Sequence, residues 1–374
     1  MLKGIHLTLL IGPGVPFPAP QSVMEALTSV QVTSGKDRSG FQMTFGVSKK
    51  SLINTTLLPA GYFDPMSTRV IVIATLRGRP NVLMDGIITR QEVAPSNDPG
   101  HSQLTVTGED LSVAMDVLEL PKAFPGMSTT LQVNTVLAPY AALGVVPAVI
   151  PPIIEPVRSP TQRFDSQVVS DLAYIRALAQ QAGYVFYVEP GPLPGQSIGY
   201  FGPDIRIPEL QPTLNVDMDA ASNVETLSFS LDGMAKKVRV YVIMDPITRK
   251  ISIPIPVPNV NLFKPPLGLR PTAPGKVELA CKGANLQPDE AAREILGFLM
   301  SNPNAITGTG TLDVLRYGSI LRSRRVVGVR GAGLAYDGLY YVDSVTHSIK
   351  RGEYKQNFTL SRDGLISNTP RLPP

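Results

Sequence analysis

A mainly β fold with a small inserted α+β segment is the class this sequence predicts, and three observations carry it. Residues 82–111, VLMDGIITRQEVAPSNDPGHSQLTVTGEDL, and residues 338–365, GLYYVDSVTHSIKRGEYKQNFTLSRDGL, follow one plan of alternating strand, polar turn and alternating strand. Setting Ile88-Thr89 against Val345-Thr346 aligns the first arms, and Leu104–Leu111 against Phe358–Leu365 aligns the second. The turns differ by about three residues, where loops tolerate insertion most easily. Proline and glycine, 36 and 32 of 374 residues, favour turns and short strands over long helices. Only in restricted stretches does the apolar spacing change from a period of two to one near 3.6.

Residues 1–120 form the first β block. Ile5, Leu7 and Leu9 alternate as an opening strand. Val30–Thr33, Gly40–Val47, Arg69–Leu76, Leu83–Gln91 and Gln103–Gly108 follow, each bounded by Gly, Pro, Asn or Asp. Such spacing suggests a small barrel or sandwich. From 121 to 210 the character changes. Ser128 or Thr129 caps a short helix towards Leu143, which Pro139 interrupts. Ser166 or Ser170 opens a stronger helix, DLAYIRALAQQAG, with Leu172, Ile175, Leu178 and Ala179 on one face and Gly183 as its C-cap. A strand, Tyr184–Val188, comes next. The second β block takes 211–245 and 288–374, opening with Val224–Leu231 and Lys237–Met244 as a hairpin around Asp232-Gly233. Between its parts, 246–287 reads as an extended proline-rich arm, with Pro246, Pro254, Pro256 and Pro258 among its prolines. A helix over Asp289–Met300 is entered through Pro288.

Composition excludes several function classes. The net charge of +4 is small, and it shifts only mildly towards the C-terminal half, so no nucleic-acid footprint emerges. The lone Cys281 excludes a disulfide framework and a cysteine zinc site, and suits synthesis in a reducing cytoplasm. Val136–Ile154 is uncharged and nearly long enough to span a bilayer, but Pro139, Pro147, Pro151 and Pro152 would break a helix there. Loop and strand are expected instead, with no membrane insertion. The start, Lys3 then Ile5–Ile11, lacks the cleavage site of a secretory signal.

Candidate chemistry is sparse. His6, His101 and His347 have no metal-ligand spacing, and no cofactor fingerprint is present. Asp343 and His347 share one face of a strand, which admits an acid–base pair, yet no nucleophile elbow accompanies them. GVRGAG at 328–333 fits GxxGxG rather than the dinucleotide fingerprint and reads as a turn. The basic cluster Arg316, Arg322, Arg324, Arg325 and Arg330 rises above this background. On a strand, Arg322 and Arg324 would share one face and Arg325 the other. The cluster is a candidate interface or lumen surface, meeting an acidic partner or passing nucleic acid transiently.

The C-terminal GLYYVDSVTHSIKRGEYKQNFTLSRDGL resembles the closing hairpin of phage late control protein D, a family related to contractile-tail baseplate hubs and to the hub portion of type VI secretion spike proteins. SDLAYIRALAQQAGYVFYVEPG, YFGPDIR at 200–206 and SNVETLSFSLDG at 222–233 are similar in order and position. The likeness covers most of 165–365 and is looser before that. It implies two similar tube-like β-barrel domains plus the inserted α+β domain. It further implies a non-enzymatic homotrimer whose two domains per chain give a pseudo-sixfold ring between a hexameric tail tube and a trimeric spike. Expected partners are the tube protein, a separate spike protein and other baseplate proteins, in the baseplate of a phage tail or injection particle. The spike is expected to be separate because the chain ends at Pro374 without a needle domain. Alternatives are a peripheral baseplate or glycan-binding protein, which the absence of tryptophan disfavours, and a β-rich hydrolase using Asp343 and His347.

Overall fold

The computed structural model describes residues 4–35, 39–97, 102–155, 165–205, 207–241, 255–258, 266–280, 288–300 and 303–368. His101, Cys281 and much of the proline-rich arm lie outside them.

Among the described residues thirteen strands join in one sheet. From one edge its main path runs Thr226–Leu231, Ile306–Asp313, Glu353–Arg362, Gly338–Lys350, Leu27–Ser34, Ser39–Val47, Ser102–Asp110, Arg79–Ala94, Thr68–Leu76, Ile5–Pro13 and the short Phe17–Pro18. Arg325–Arg330 branches from Gly338–Lys350, and Ile207–Asn215 pairs with that branch. The fold is mainly β, as expected, but among the described residues its sheets are not closed into barrels. The physical reason lies in the hydrogen bonding of Gly338–Lys350. Its C-terminal part pairs with Leu27–Ser34, so the second block continues into the first rather than closing on itself.

One strand order occurs twice. In chain order the first set is Ile5–Pro13, Leu27–Ser34, Ser39–Val47, Thr68–Leu76, Arg79–Ala94 and Ser102–Asp110. The second is Ile207–Asn215, Thr226–Leu231, Ile306–Asp313, Arg325–Arg330, Gly338–Lys350 and Glu353–Arg362. Ranked from first to sixth within its set, each lies side by side as 1-4-5-6-3-2. Even the long hairpins match, for each has a register shift in its first arm, between Ile88 and Arg90 and between Val342 and Ser344. One pairing differs: first and fourth strands are antiparallel in the N-terminal set and parallel in the C-terminal set.

Alternation explains most of these strands. Ser39–Val47 buries Ser39, Phe41, Met43, Phe45 and Val47 on one face, towards a core shared by both sets. Thr68–Leu76 is buried almost throughout, the pattern of a strand covered on both sides.

The expected hairpin of Val224–Leu231 with Lys237–Met244 is not formed over the described residues, which end at Tyr241 in the second strand. Thr226–Leu231 pairs with Ile306–Asp313, and Asp232 N donates to Ala305 O at 2.8 Å, so the excursion leaves and re-enters at one point. Lys237–Tyr241 belongs to the excursion, between Ile255–Pro258 and Lys276–Leu279 in a separate three-stranded sheet. Phe298, from the helix Pro288–Met300, packs with Tyr241 and Val257 beneath it.

The inserted α+β segment follows its sequence signals closely. Ser128 caps the helix Thr129–Leu137, and Pro139 falls in the tighter turn Ala138–Leu143. Ser170 Oγ accepts from Ala173 N to cap Asp171–Ala182, and Gly183 closes it with φ of 69°. Its strands Val145–Val149 and Val185–Pro190 flank Ser197–Gly202. Among the described residues no helix is long and apolar enough to cross a membrane.

Candidate assembly surface

The seam between the two sets is a built strand pairing. Val345–Lys350 runs antiparallel to Ser29–Ser34, from Val345 opposite Ser34 to Lys350 opposite Ser29. Thr33 and Thr346 share a hydrogen bond between hydroxyls at 3.1 Å, and Ser34 and Ser323 another at 2.7 Å. Room for the seam arises because Arg325–Arg330 leaves Gly338–Lys350 at Tyr341.

Among the described residues the equivalent strand in the first set has the same opening without a strand in it. Thr68–Leu76 leaves Arg79–Ala94 at Ile87, and beyond that point Ser102–Asp110 is the strand paired with it. The other side of residues 89–94 therefore has no strand partner among the described residues. Among the described residues Thr226–Leu231, at the end of the main path, likewise has one edge without a strand partner. Val93 and Leu231, on these two edges, are each 43% exposed.

The five arginines occupy different settings. Arg316 is exposed on the turn Val314–Tyr317, where Asp313 accepts from Leu315 N and Arg316 N. Arg325 starts and Arg330 ends the strand Arg325–Arg330, both half-buried. Arg322 and Arg324 precede that strand, so the expected shared strand face does not exist. Arg322 Nη2 donates to Asn81 Oδ1 at 2.7 Å. Arg324 is buried, with a left-handed φ of 61°. Its guanidinium lies 3.9 Å from the Tyr187 ring centroid, donates to Gly35 O, and faces Glu189 Oε2 at 3.7 Å. The structure brings Arg322, Arg324 and Arg325 together with His347 around a cavity of about 320 Å³. Arg316 and Arg330 do not line it.

His347 and Asp343 have separate partners. His347 Nδ1 contacts Tyr354 OH at 2.8 Å and Gln356 Nε2 at 3.2 Å, and the ring is buried. Asp343 Oδ1 accepts from Ser361 Oγ at 2.8 Å. Burial first, then the nearby Arg322 charge, pushes the His347 pKa down to about 3, so the ring is neutral at pH 7. Gln356 then uses both ends of its amide on Leu321, accepting from N at 3.0 Å and donating to O at 2.8 Å. Gly331 and Gly333 have φ of 89° and 87°, so GVRGAG ends in a turn. Among the described residues no group of three metal-ligating side chains exists.

Sequence reasoning missed two features. Arg69 pairs bidentately with Asp85 at 2.7 Å, buried, and also donates to Gly195 O at 3.2 Å, tying the first set to the inserted segment. Only the apolar setting of Arg69 in TRVIVIATL hinted at this. The second is an exposed apolar group, Val117, Leu118, Leu120 and Val168, around the Glu119–Ser170 bridge.

Comparison with known proteins places the fold. No family model and no curated protein matches the sequence. Solved structures do. A tail protein from Neisseria meningitidis MC58 has a TM-score of 0.59 at 16% identity, over 97% of this chain and 98% of that one. The 43 kDa tail protein of prophage MuSo2 from Shewanella oneidensis has a TM-score of 0.62 at 12% identity, over 96% and 99%. The E. coli c3393 protein is described as a component of the type VI secretion system with structural similarity to the T4 tail proteins gp27 and gp5. It has a TM-score of 0.54 at 13% identity, over 93% of this chain and 77% of that one.

Proposed function

We propose that this chain, which has the fold of phage tail and type VI secretion proteins along nearly its whole length, is a structural baseplate hub of a contractile tail or phage-like contractile injection system. Three copies form a ring, pseudo-sixfold because each chain contributes two comparable sets of strands. On this reading the ring joins a hexameric inner tube to a trimeric spike, with other baseplate proteins around it. The chain is made in the cytoplasm and works in the assembled particle, without chemical turnover. The observation that carries the proposal is the repeated 1-4-5-6-3-2 strand order. A homotrimer presents six near-equivalent surfaces only when each chain holds two. Arg316 and Arg330 are proposed as the members of the basic cluster that meet a neighbour or the lumen. Arg322, Arg324 and Arg325 would order the loop behind them.

Native mass spectrometry of the purified chain, alone and with its tube and spike proteins, tests this. A trimer that binds both is expected. A monomer under every condition would overturn the proposal.

A further inference from the structure

Resting on that ring reading, we infer that residues 91–94 of one chain pair antiparallel with Ser228–Leu231 of the next, in the register of the intramolecular seam.

The seam supplies the template. The register shifts in the two long hairpins equate Arg90 with Ser344, and so Glu92 with Thr346 and Val93 with His347. Pairing inside each set equates Thr226–Leu231 with Ser29–Ser34. Val30 faces Met43, which in turn faces Val106, and Leu227 faces Gly310, which faces Phe358. Val106 and Phe358 are themselves equivalent, facing Gln91 and Val345. Transferring the seam pairs then sets Gln91 opposite Leu231, Glu92 opposite Ser230, Val93 opposite Phe229 and Ala94 opposite Ser228 of the next chain.

The two edges suit one another. Both lack a strand partner among the described residues on the relevant side, and they are the positions at which the internal pairing would recur. An open strand edge offers a row of unsatisfied amides and carbonyls, so a second copy satisfies them with the geometry the chain already uses. Val93 and Phe229, opposite one another, put two apolar side chains on the face that carries His347 and Val32 in the seam. Pro95 has no amide hydrogen and ends the ladder.

Cysteine pairs read the register directly. In a Cys281→Ser background, Glu92→Cys with Ser230→Cys corresponds to Thr346 and Thr33, whose hydroxyl oxygens lie 3.1 Å apart. Thr33→Cys with Thr346→Cys serves as the in-chain control for oxidation. Mild oxidation should give covalent dimers and trimers from the Glu92/Ser230 pair. The off-register pair, Glu92→Cys with Ser228→Cys, should give roughly tenfold less, because a disulfide needs closely apposed Cβ atoms. A native trimer with no preference for the in-register pair would overturn this inference and leave the ring reading standing. A monomer by native mass would overturn the ring reading as well.

Discussion

At the residue scale, His347 illustrates how a group that invites a catalytic reading serves the fold. An imidazole in the unfolded chain takes up a proton as pH falls below about 6.5. In the folded chain it does so only near 3. Between those values the unfolded state binds the extra proton, so stability falls as pH drops through this window and is retained above it. His347→Gln should flatten the dependence by up to about 1.4 kcal/mol per pH unit, measured as denaturant midpoints from pH 7 to pH 4. Arg324 gives a second test. Arg324→Ala uncovers Tyr187 and leaves Gly35 O without its donor, and should cost about 1–3 kcal/mol. Arg324→Lys should rescue little of it, since a compact ammonium group neither stacks like a guanidinium nor spans separated acceptors with a planar fork. Thermal melts would read both variants. The arginine cluster itself was legible in the sequence. The burial of Arg324 was not, because its partners Tyr187 and Glu189 come from the inserted segment and only folding brings them near.

At the element scale, aromatic rings laid over glycines recur in both strand sets. Phe41 faces Gly108, and Phe358 faces Gly310. A Cβ on Gly108 would lie 2.4 Å from Ile87 O and 2.3 Å from Phe41 Cζ. Gly108→Ala is therefore expected to cost roughly 1–3 kcal/mol by overpacking, seen as a lowered urea midpoint. Gly352→Ala, where nothing lies within 4 Å, isolates the penalty of a positive φ, here 84°. Strands were legible wherever alternation was strong, as in GFQMTFGV, and helices wherever a cap preceded an apolar stripe, as at Ser170. The misassigned partner of Thr226–Leu231 has a plain cause. A turn-forming Asp232-Gly233 signals a change of direction, yet strand choice depended on Ile306–Asp313, which returns only after the whole excursion. The repeat was visible too, although its structural register is offset from the sequence alignment by three residues in the first arm, where Val345 matches Gln91 rather than Ile88, and by two in the second. Side-chain similarity favoured Leu104 against Phe358, whereas backbone pairing equates Leu104 with Gln356.

At the scale of the whole molecule, the two strand sets share one hydrophobic core, which makes each chain a double unit built on a single core. If such units close head to tail, a charge on the free edge should block assembly without unfolding the chain. Leu231→Lys is the test, because this side chain is already 43% exposed. Its melting temperature should stay within a few degrees of the parent, while native mass shifts from trimer to monomer. An unchanged trimer would place the contact elsewhere. The duplicated plan was legible because alternation and turn chemistry are local. The vacant edges were not, because an unpaired strand and a paired one share the same residue pattern.

Of everything that distinguishes the two sets, the direction of Ile207–Asn215 matters most beyond the single chain. It runs parallel to its neighbour where Ile5–Pro13 runs antiparallel. Around the proposed annulus that reversal would recur at every other position. Six near-equivalent segments would then alternate between two kinds of flank, one built on an antiparallel and one on a parallel edge. A partner of lower symmetry would find its seat already marked, and orientation would be built into the collar before anything binds.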